Sequence, residues 1–242
     1  MTKISDFIKP QLDSLKISLT SVQFEQLDNL AEAMLADPLY KSVSKIFEPE
    51  EMAVKHFLDS LIPLCYKLPI WQAKKVMDLG TGGGFPCLPL AIALPDSHFT
   101  AVDGRQKSVD FVARMAKAIG LKNVDTIHTR IEDLGREAEH REKYDLVVCR
   151  ALSAIRVLVE YTLPLTRNGG CSFYYKGPKL DEELAEAANA FKVLEVATEG
   201  IEIFRLLPPE VPFERNFVAI HKIKGVSSKY PRKAGTPLAK PL

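Results

Sequence analysis

Val76-Met77-Asp78-Leu79-Gly80-Thr81-Gly82-Gly83-Gly84-Phe85-Pro86 is the stretch that decides how this chain is read. A short apolar run ending in glycines describes a buried strand that feeds a tight turn. Glycine allows the backbone a left-handed conformation and a close approach to a ligand. The residues that follow, 86–94, are apolar at helical spacing, and a helix start offers unpaired N–H groups to whatever lies in the turn. Strand, glycine turn and helix together point to a nucleotide or nucleoside site. Spacing narrows the ligand. A dinucleotide fingerprint, G-x-G-x-x-G, needs a glycine where this chain has Phe85, and no Gly-Lys-Ser/Thr follows to make a phosphate-cradling P-loop. The glycines fall instead at 80, 82 and 84, as Asp-x-Gly-x-Gly-x-Gly. Asp103, ending the next apolar run, stands where a carboxylate can accept both ribose hydroxyls, or is a solvated loop residue.

Outward from this loop, apolar runs alternate with amphipathic stretches. Strands are expected at 76–79, 98–103, 124–128, 144–149 and 171–175, and helices at 86–94, 107–119, 155–161 and 180–190. This alternation specifies a mostly parallel sheet with crossover helices. The last two apolar segments, 191–198 and 217–223, have no helix between them and are expected as an antiparallel pair at the sheet edge. The first seventy residues read as helical. Phe24, Leu27, Leu30, Ala31, Met34 and Leu35 share one face up to Asp37-Pro38, and a second helix opens at Glu48-Pro49. Pro63 should kink or end it. The expected division is a helical extension at residues 1–72, an α/β domain at 73–224 and a basic tail at 225–242.

The 242 residues, 46% hydrophobic and 26% charged, have the composition of a globular protein. No apolar run approaches a membrane span and the N-terminus lacks a signal-peptide core, so no membrane partner and a cytoplasmic location are expected. Cys65, Cys87, Cys149 and Cys171 are far apart and show no ligand spacing with the histidines, so neither metal nor a disulfide framework is expected. The near balance of 32 basic and 31 acidic residues conceals a gradient. After Glu214 come seven bases and no acid, which makes the C-terminal end a candidate polyanion contact or simply a solvated terminus.

The Asp-x-Gly-x-Gly-x-Gly loop resembles the cofactor loop of class I S-adenosylmethionine-dependent methyltransferases, whose Rossmann-like fold would add a helical extension and an antiparallel edge here. Further motifs narrow the match: Leu88-Pro89-Leu90-Ala91-Ile92, Val102-Asp103, Arg130-Ile131-Glu132, Arg150-Ala151, Tyr175-Lys176-Gly177 and Tyr230-Pro231-Arg232-Lys233-Ala234-Gly235-Thr236-Pro237 occur in order, preceded by His56-Phe57-Leu58-Asp59-Ser60. Over nearly its whole length the chain resembles the glucose-inhibited division protein B family, bacterial methyltransferases that modify guanine N7 in small-subunit ribosomal RNA. The resemblance implies a cofactor site of Asp78, Gly80, Thr81, Gly82, Gly84, Phe85, Asp103, Ile131, Glu132 and Arg150 for S-adenosyl-L-methionine. It also implies ribosomal RNA or the small ribosomal subunit as partner, with Arg150, Lys176, Arg232 and Lys233 as candidate substrate contacts. Two departures stand out: Ser42-Val43-Ser44 replaces the family's Asn-Leu-Thr, and Cys87 replaces a glycine after the loop.

The chemistry implied is undemanding in one respect. Guanine N7 carries an in-plane lone pair and no proton, so it attacks a sulfonium methyl without a general base, and no catalytic residue is assigned. Exocyclic-amine enzymes often carry an Asp/Asn-Pro-Pro-Tyr loop after the fourth strand, where this chain reads Cys149-Arg150-Ala151-Leu152. Tyr174 and Tyr175 are candidate stacking surfaces or core residues. Two other readings stay open at this level: a class I methyltransferase acting on a small molecule, and a non-catalytic nucleoside- or RNA-binding module.

Overall fold

The computed structural model describes residues 3–207 and 211–242. Its centre is a seven-stranded sheet in the order β3-β2-β1-β4-β5-β7-β6, with β1 Lys75–Leu79, β2 His98–Asp103, β3 Val124–His128, β4 Tyr144–Arg150, β5 Thr166–Lys176, β6 Ile201–Leu206 and β7 Arg215–His221. The first five strands are parallel, and β7 runs antiparallel between β5 and β6. The order reverses between β1 and β4. Ligands in such sheets sit at that point, outside the carboxyl ends of the strands.

The alternation of side chains along each strand sorts the core into two layers. On one face Val76, Phe99, Leu146, Phe173 and Phe217 join Ile8, Leu12, Leu27, Leu30 and Met34 from the helices Ile4–Ser14 and Ser21–Ala36 in one apolar cluster. On the other face Met77, Val102, Val147, Tyr174 and Val218 pack with Ile155, Leu158 and Tyr161 of the helix Ile155–Thr162, with Leu180, Ala187 and Leu194, and with Tyr230 and Leu242 near the C-terminus. The N-terminal helices and the C-terminal residues therefore pack on opposite faces of the sheet.

The N-terminal helix Ser21–Ala36 opens with a capping box between Thr20 and Gln23, whose amide also reaches the Ile92 carbonyl at 2.9 Å. Pro49 starts the helix Pro49–Met52, which continues through a π turn at Ala53–Leu58 into Asp59–Leu61. Just before Pro63 the chain tightens into a 3-10 turn, Ile62–Tyr66, because that residue has no N–H to continue the ladder.

One expectation at the sheet edge is overturned. Residues 191–198 form no strand: Ala188–Val193 is helical, and β6 begins only at Ile201. Leu180, Leu184, Ala187, Phe191 and Leu194 recur at three- and four-residue steps and pack against the second apolar layer, so helical spacing outweighs the alternation of Phe191 and Val193. The chain enters the sheet at Gly200, where a Cβ would lie 2.9 Å from the His221 carbonyl oxygen of β7.

Candidate functional site

The glycine loop is pinned from below. Gly80 and Thr81 both donate to the Val102 carbonyl, at 2.8 and 3.0 Å, and Gly84 N–H closes back on the Thr81 carbonyl at 2.8 Å. Gly80 and Gly84 have φ of +72° and +87°, and a Cβ there would stand 2.6 Å from Leu152 and 2.5 Å from Leu88, so side chains are excluded by both conformation and space. Gly82, φ +55°, has no atom within 3.7 Å of an added Cβ: that side of the loop is open.

Asp103 binds this loop to its neighbour. Its Oδ2 accepts the Gly82 N–H at 2.9 Å and its Oδ1 the Arg105 N–H at 2.8 Å. A carboxylate has about four lone-pair sites, so acceptor capacity remains for a ligand's hydroxyls.

Beneath the loop, polar groups stand unmatched. Asp78 is fully buried, and neither of its oxygens nor Thr81 Oγ1 makes a hydrogen bond among the described residues. Burial pushes the Asp78 carboxyl up to about 7, against the opposing pull of the nearby Thr81 hydroxyl, Arg150 and the Cys87 N–H. Cys87 is also fully buried, which raises its thiol well above the usual range; it packs as a small core residue. A cradle with an open side and buried acceptors lacking donors fits a cofactor that brings a positive charge and hydroxyls.

On the other side of the loop stands Phe85. The His56 ring stacks on it at 4.3 Å and 16°, and the Arg150 guanidinium sits 5.4 Å from its centroid. Burial, reinforced by Arg150, lowers His56 to about 4, so the ring is neutral at pH 7. Its Nε2 lies 3.0 Å from Ser44 Oγ, and Val43 lies against Gly83. The Ser42-Val43-Ser44 departure thus touches the loop, whereas Ser42 itself bonds back to the Leu39 carbonyl and is exposed.

Arg150, at the end of β4, donates to Asp59 Oδ2 at 2.8 Å and to the Lys55 carbonyl at 3.0 Å. Arg215 binds the same carboxylate through two nitrogens at 2.6 and 2.9 Å. Asp59 is 2% exposed and joins the helical segment, β4 and β7. Lys176, ending β5, donates to Glu183 at 2.6 Å and to the Ser153 carbonyl at 3.0 Å. These groups line one cavity of about 420 Å³. The two tyrosines before Lys176 are core residues: Tyr174 bonds Thr162 at 2.6 Å and Tyr175 donates to the Ser60 carbonyl at 2.9 Å, both buried.

The C-terminal tail carries a helical turn, Thr236–Ala239, and is fastened to the rest of the chain at several points. Arg141 donates to the carbonyls of Val226 and Tyr230 at 2.8 and 2.7 Å, and Arg136 to that of Pro231 at 3.1 Å. Arg232 places its backbone N–H and its guanidinium on Glu160, which is 0% exposed. A free cation at Arg232 is therefore not what the fold presents; its charge compensates a buried acid. The Gly235 N–H donates to Glu132 at 2.8 Å, and the Tyr161 hydroxyl to the same carboxylate at 3.3 Å, so Glu132 faces the tail beside Ile131 at the carboxyl end of β3. Of the seven C-terminal bases, Arg215, Lys222, Lys224 and Arg232 are ion-paired, and Lys229, Lys233 and Lys240 make no ion pair among the described residues.

Asp78, the glycines, Phe85, Asp103 and Arg150 are thus brought together, while Lys176 lines the adjoining cavity and Arg232 is absorbed by the fold. Asp59, Glu160, Glu183 and Arg215 carry roles not assigned from sequence. An acid within a helical stripe, such as Asp59 between Leu58 and Leu61, was the available signal. No group of three or more metal-ligating side chains occurs among the described residues, and no helix there is long and apolar enough to cross a membrane.

Two solved structures show the same fold: an O-methyltransferase from Bacillus cereus in complex with SAH (14% identity, TM-score 0.56, covering 90% of this chain and all of that one) and cofactor-bound Rv0187 from MTB (16%, 0.56, covering 93% and 100%). The family model described as GidB, rRNA small subunit methyltransferase G, matches residues 23–207. Ribosomal RNA small subunit methyltransferase G of Brevibacillus brevis is 42% identical over 93% of this chain and 94% of its own, and that of Desulforamulus reducens is 39% identical over the full length of both. The sheet order, the glycine loop and this agreement along the chain lead to one conclusion: the chain belongs to the GidB family, rRNA small subunit methyltransferase G.

Proposed function

We propose that this chain transfers a methyl group from S-adenosyl-L-methionine to N7 of a guanine in small-subunit ribosomal RNA, with the cofactor at the glycine loop and the base in the adjoining cavity. The cofactor supplies an electrophilic methyl carried on a sulfonium. Asp78 beneath the loop is suited to its positive end and Asp103 to its ribose; Ile131 and Glu132, after the carboxyl end of β3, would border its adenine. Arg150 and Phe85 form the wall shared by the two sites, where they would orient the base.

The observation that carries this reading is the state of the ionisable groups beside Phe85 and Arg150, His56 and Asp59, neither of which is poised as a base. His56 is held neutral by burial and stacked on Phe85, with its Nε2 engaged by Ser44. Both oxygens of Asp59 are occupied by arginines. A nucleophile without a proton needs no acceptor, and catalysis reduces to in-line alignment and exclusion of water, where oriented proximity can supply up to about 7–11 kcal/mol.

Incubation of unmethylated small subunits, and of their naked RNA, with labelled cofactor tests the proposal. Nuclease digestion should release labelled 7-methylguanosine. At saturating cofactor the single-turnover rate should show no rising limb between roughly pH 6 and 8. Label on an exocyclic amine, or transfer to small molecules only, would overturn the assignment.

A further inference from the structure

The cavity beside the glycine loop holds two charged groups of different character. At the Arg150 end Asp59 is saturated by two guanidinium groups. In the same cavity Lys176 and Glu183 form a pair at 2.6 Å. Glu183 Oε2 takes the Lys176 ammonium and the Ile155 N–H at 3.0 Å, whereas its Oε1 accepts no hydrogen bond among the described residues. Lys176 uses two of its three N–H donors, on Glu183 and on the Ser153 carbonyl at 3.0 Å. One donor and one charged acceptor are therefore left side by side on the cavity wall.

That arrangement suits the Watson–Crick edge of guanine. This edge presents the O6 acceptor, then the N1–H and N2–H donors, in sequence. Adenine offers an amine where the lysine needs an acceptor, and a bare N1 where the carboxylate needs a donor. Uracil has the first two features and lacks the exocyclic amine. With this edge on the Lys176–Glu183 wall, the N7 edge is turned to another side of the cavity, consistent with a methyl delivered from the loop bordered by Arg150 and Phe85.

We infer that Lys176 and Glu183 are the specificity-determining residues of the base pocket, the ammonium donating to O6 and the carboxylate accepting from N1–H and the 2-amino group. This rests on the guanine-N7 reading above. It also changes the expected role of Lys176, from a phosphate contact to a base contact, in keeping with a side chain that is only 8% exposed.

The test uses small-subunit RNA carrying either guanine or inosine at the mapped target; inosine lacks only the 2-amino group and keeps N7. For the parent protein kcat/KM should fall roughly 10–100-fold with inosine, the usual effect of losing a hydrogen bond to a charged acceptor. In Glu183→Ala and the near-isosteric Glu183→Gln the guanine substrate should drop by a comparable factor, and most of the preference for guanine over inosine should vanish. Cofactor affinity should remain that of the parent in the Gln variant, whose amide oxygen still accepts from Lys176, and rates are compared below its melting transition. Equal discrimination in the parent and both variants, or a parent that does not distinguish the two bases, would overturn the assignment. A parent that transfers no methyl to guanine in RNA would overturn the underlying reading as well, and is recognised without any variant.

Discussion

The glycine loop and the C-terminal tail are the two segments whose composition most strongly suggested contact with another molecule, and they treat their polar groups in opposite ways. Around the loop, the Asp78 oxygens and Thr81 Oγ1 are buried without a hydrogen bond among the described residues. Along the tail, the Arg232 guanidinium, the Gly235 N–H and the carbonyls of Val226, Tyr230 and Pro231 are all bonded within the chain. A buried polar group left unmatched costs about 1–3 kcal/mol, which folding tolerates where a ligand completes the pairing. A segment that satisfies its own groups is a brace. Composition identifies the charges, and pairing decides whether the fold or a partner uses them.

The comparison can be broken most sharply at Arg232. Replacement by alanine strands Glu160, which is 0% exposed, and removing one partner of a buried pair costs about 3–5 kcal/mol. The melting temperature should fall by about 10 °C. Below that transition the salt dependence of RNA binding should match the parent's. An unchanged melting point with a flattened salt slope would show instead that the tail is an RNA contact.

Asp78→Asn probes the loop from the opposite direction. A carboxyl at about 7 in the folded chain and 3.8 in the unfolded one contributes stability that is complete below pH 4 and is lost as pH rises to about 7. By pH 8 the loss amounts to about 4 kcal/mol. The asparagine variant should therefore melt higher than the parent at pH 8, with the difference shrinking towards pH 4, while its affinity for S-adenosylmethionine falls by roughly tenfold or more. A variant that is neither more stable nor weaker in binding would remove Asp78 from the cofactor site.

His56 on the far side of Phe85 gives a smaller, oppositely signed effect. Its folded value of about 4 lies below the ordinary 6.5, so its contribution is present above pH 6.5 and is lost as pH falls towards 4, by about 3 kcal/mol at most. His56→Phe, which keeps a ring on Phe85, should flatten melting temperature against pH in that window; a parent-like acid limb would place the sensitivity elsewhere. The smallest change is expected at Lys233, exposed and without an ion pair among the described residues. Lys233→Ala should leave stability within about 0.5 kcal/mol. With a phosphate at this lysine the variant lowers the salt slope of RNA binding by roughly 0.7–0.9; identical slopes would remove Lys233 from the RNA contacts.

The β1 run ending at Gly80, the acid at Asp103 and the helical stripe from Phe24 to Leu35 were legible because each depends on neighbours within a few residues: turn geometry, strand alternation and helical period are local. The segment 191–198, expected as a strand because no helix separates it from 217–223, is helical to Val193, since only the apolar layer under Leu184, Ala187 and Leu194 extends the helical period that far. Pairing across long separations lay beyond local pattern altogether. Asp59 meets Arg150 and Arg215 across 91 and 156 positions, and Glu160 meets Arg232 across 72.

By itself, then, the sequence determined the strand–loop–helix unit, its glycine spacing and the parallel class of the sheet, because backbone sterics and hydrophobic period act along the chain. Which charges serve the fold and which face a ligand was decided only by the tertiary structure. Seven C-terminal bases read alike in one dimension, yet four are ion-paired in three dimensions. The physical reason is desolvation: a buried ion persists only where a partner meets it, and the partner's position is a property of the folded chain.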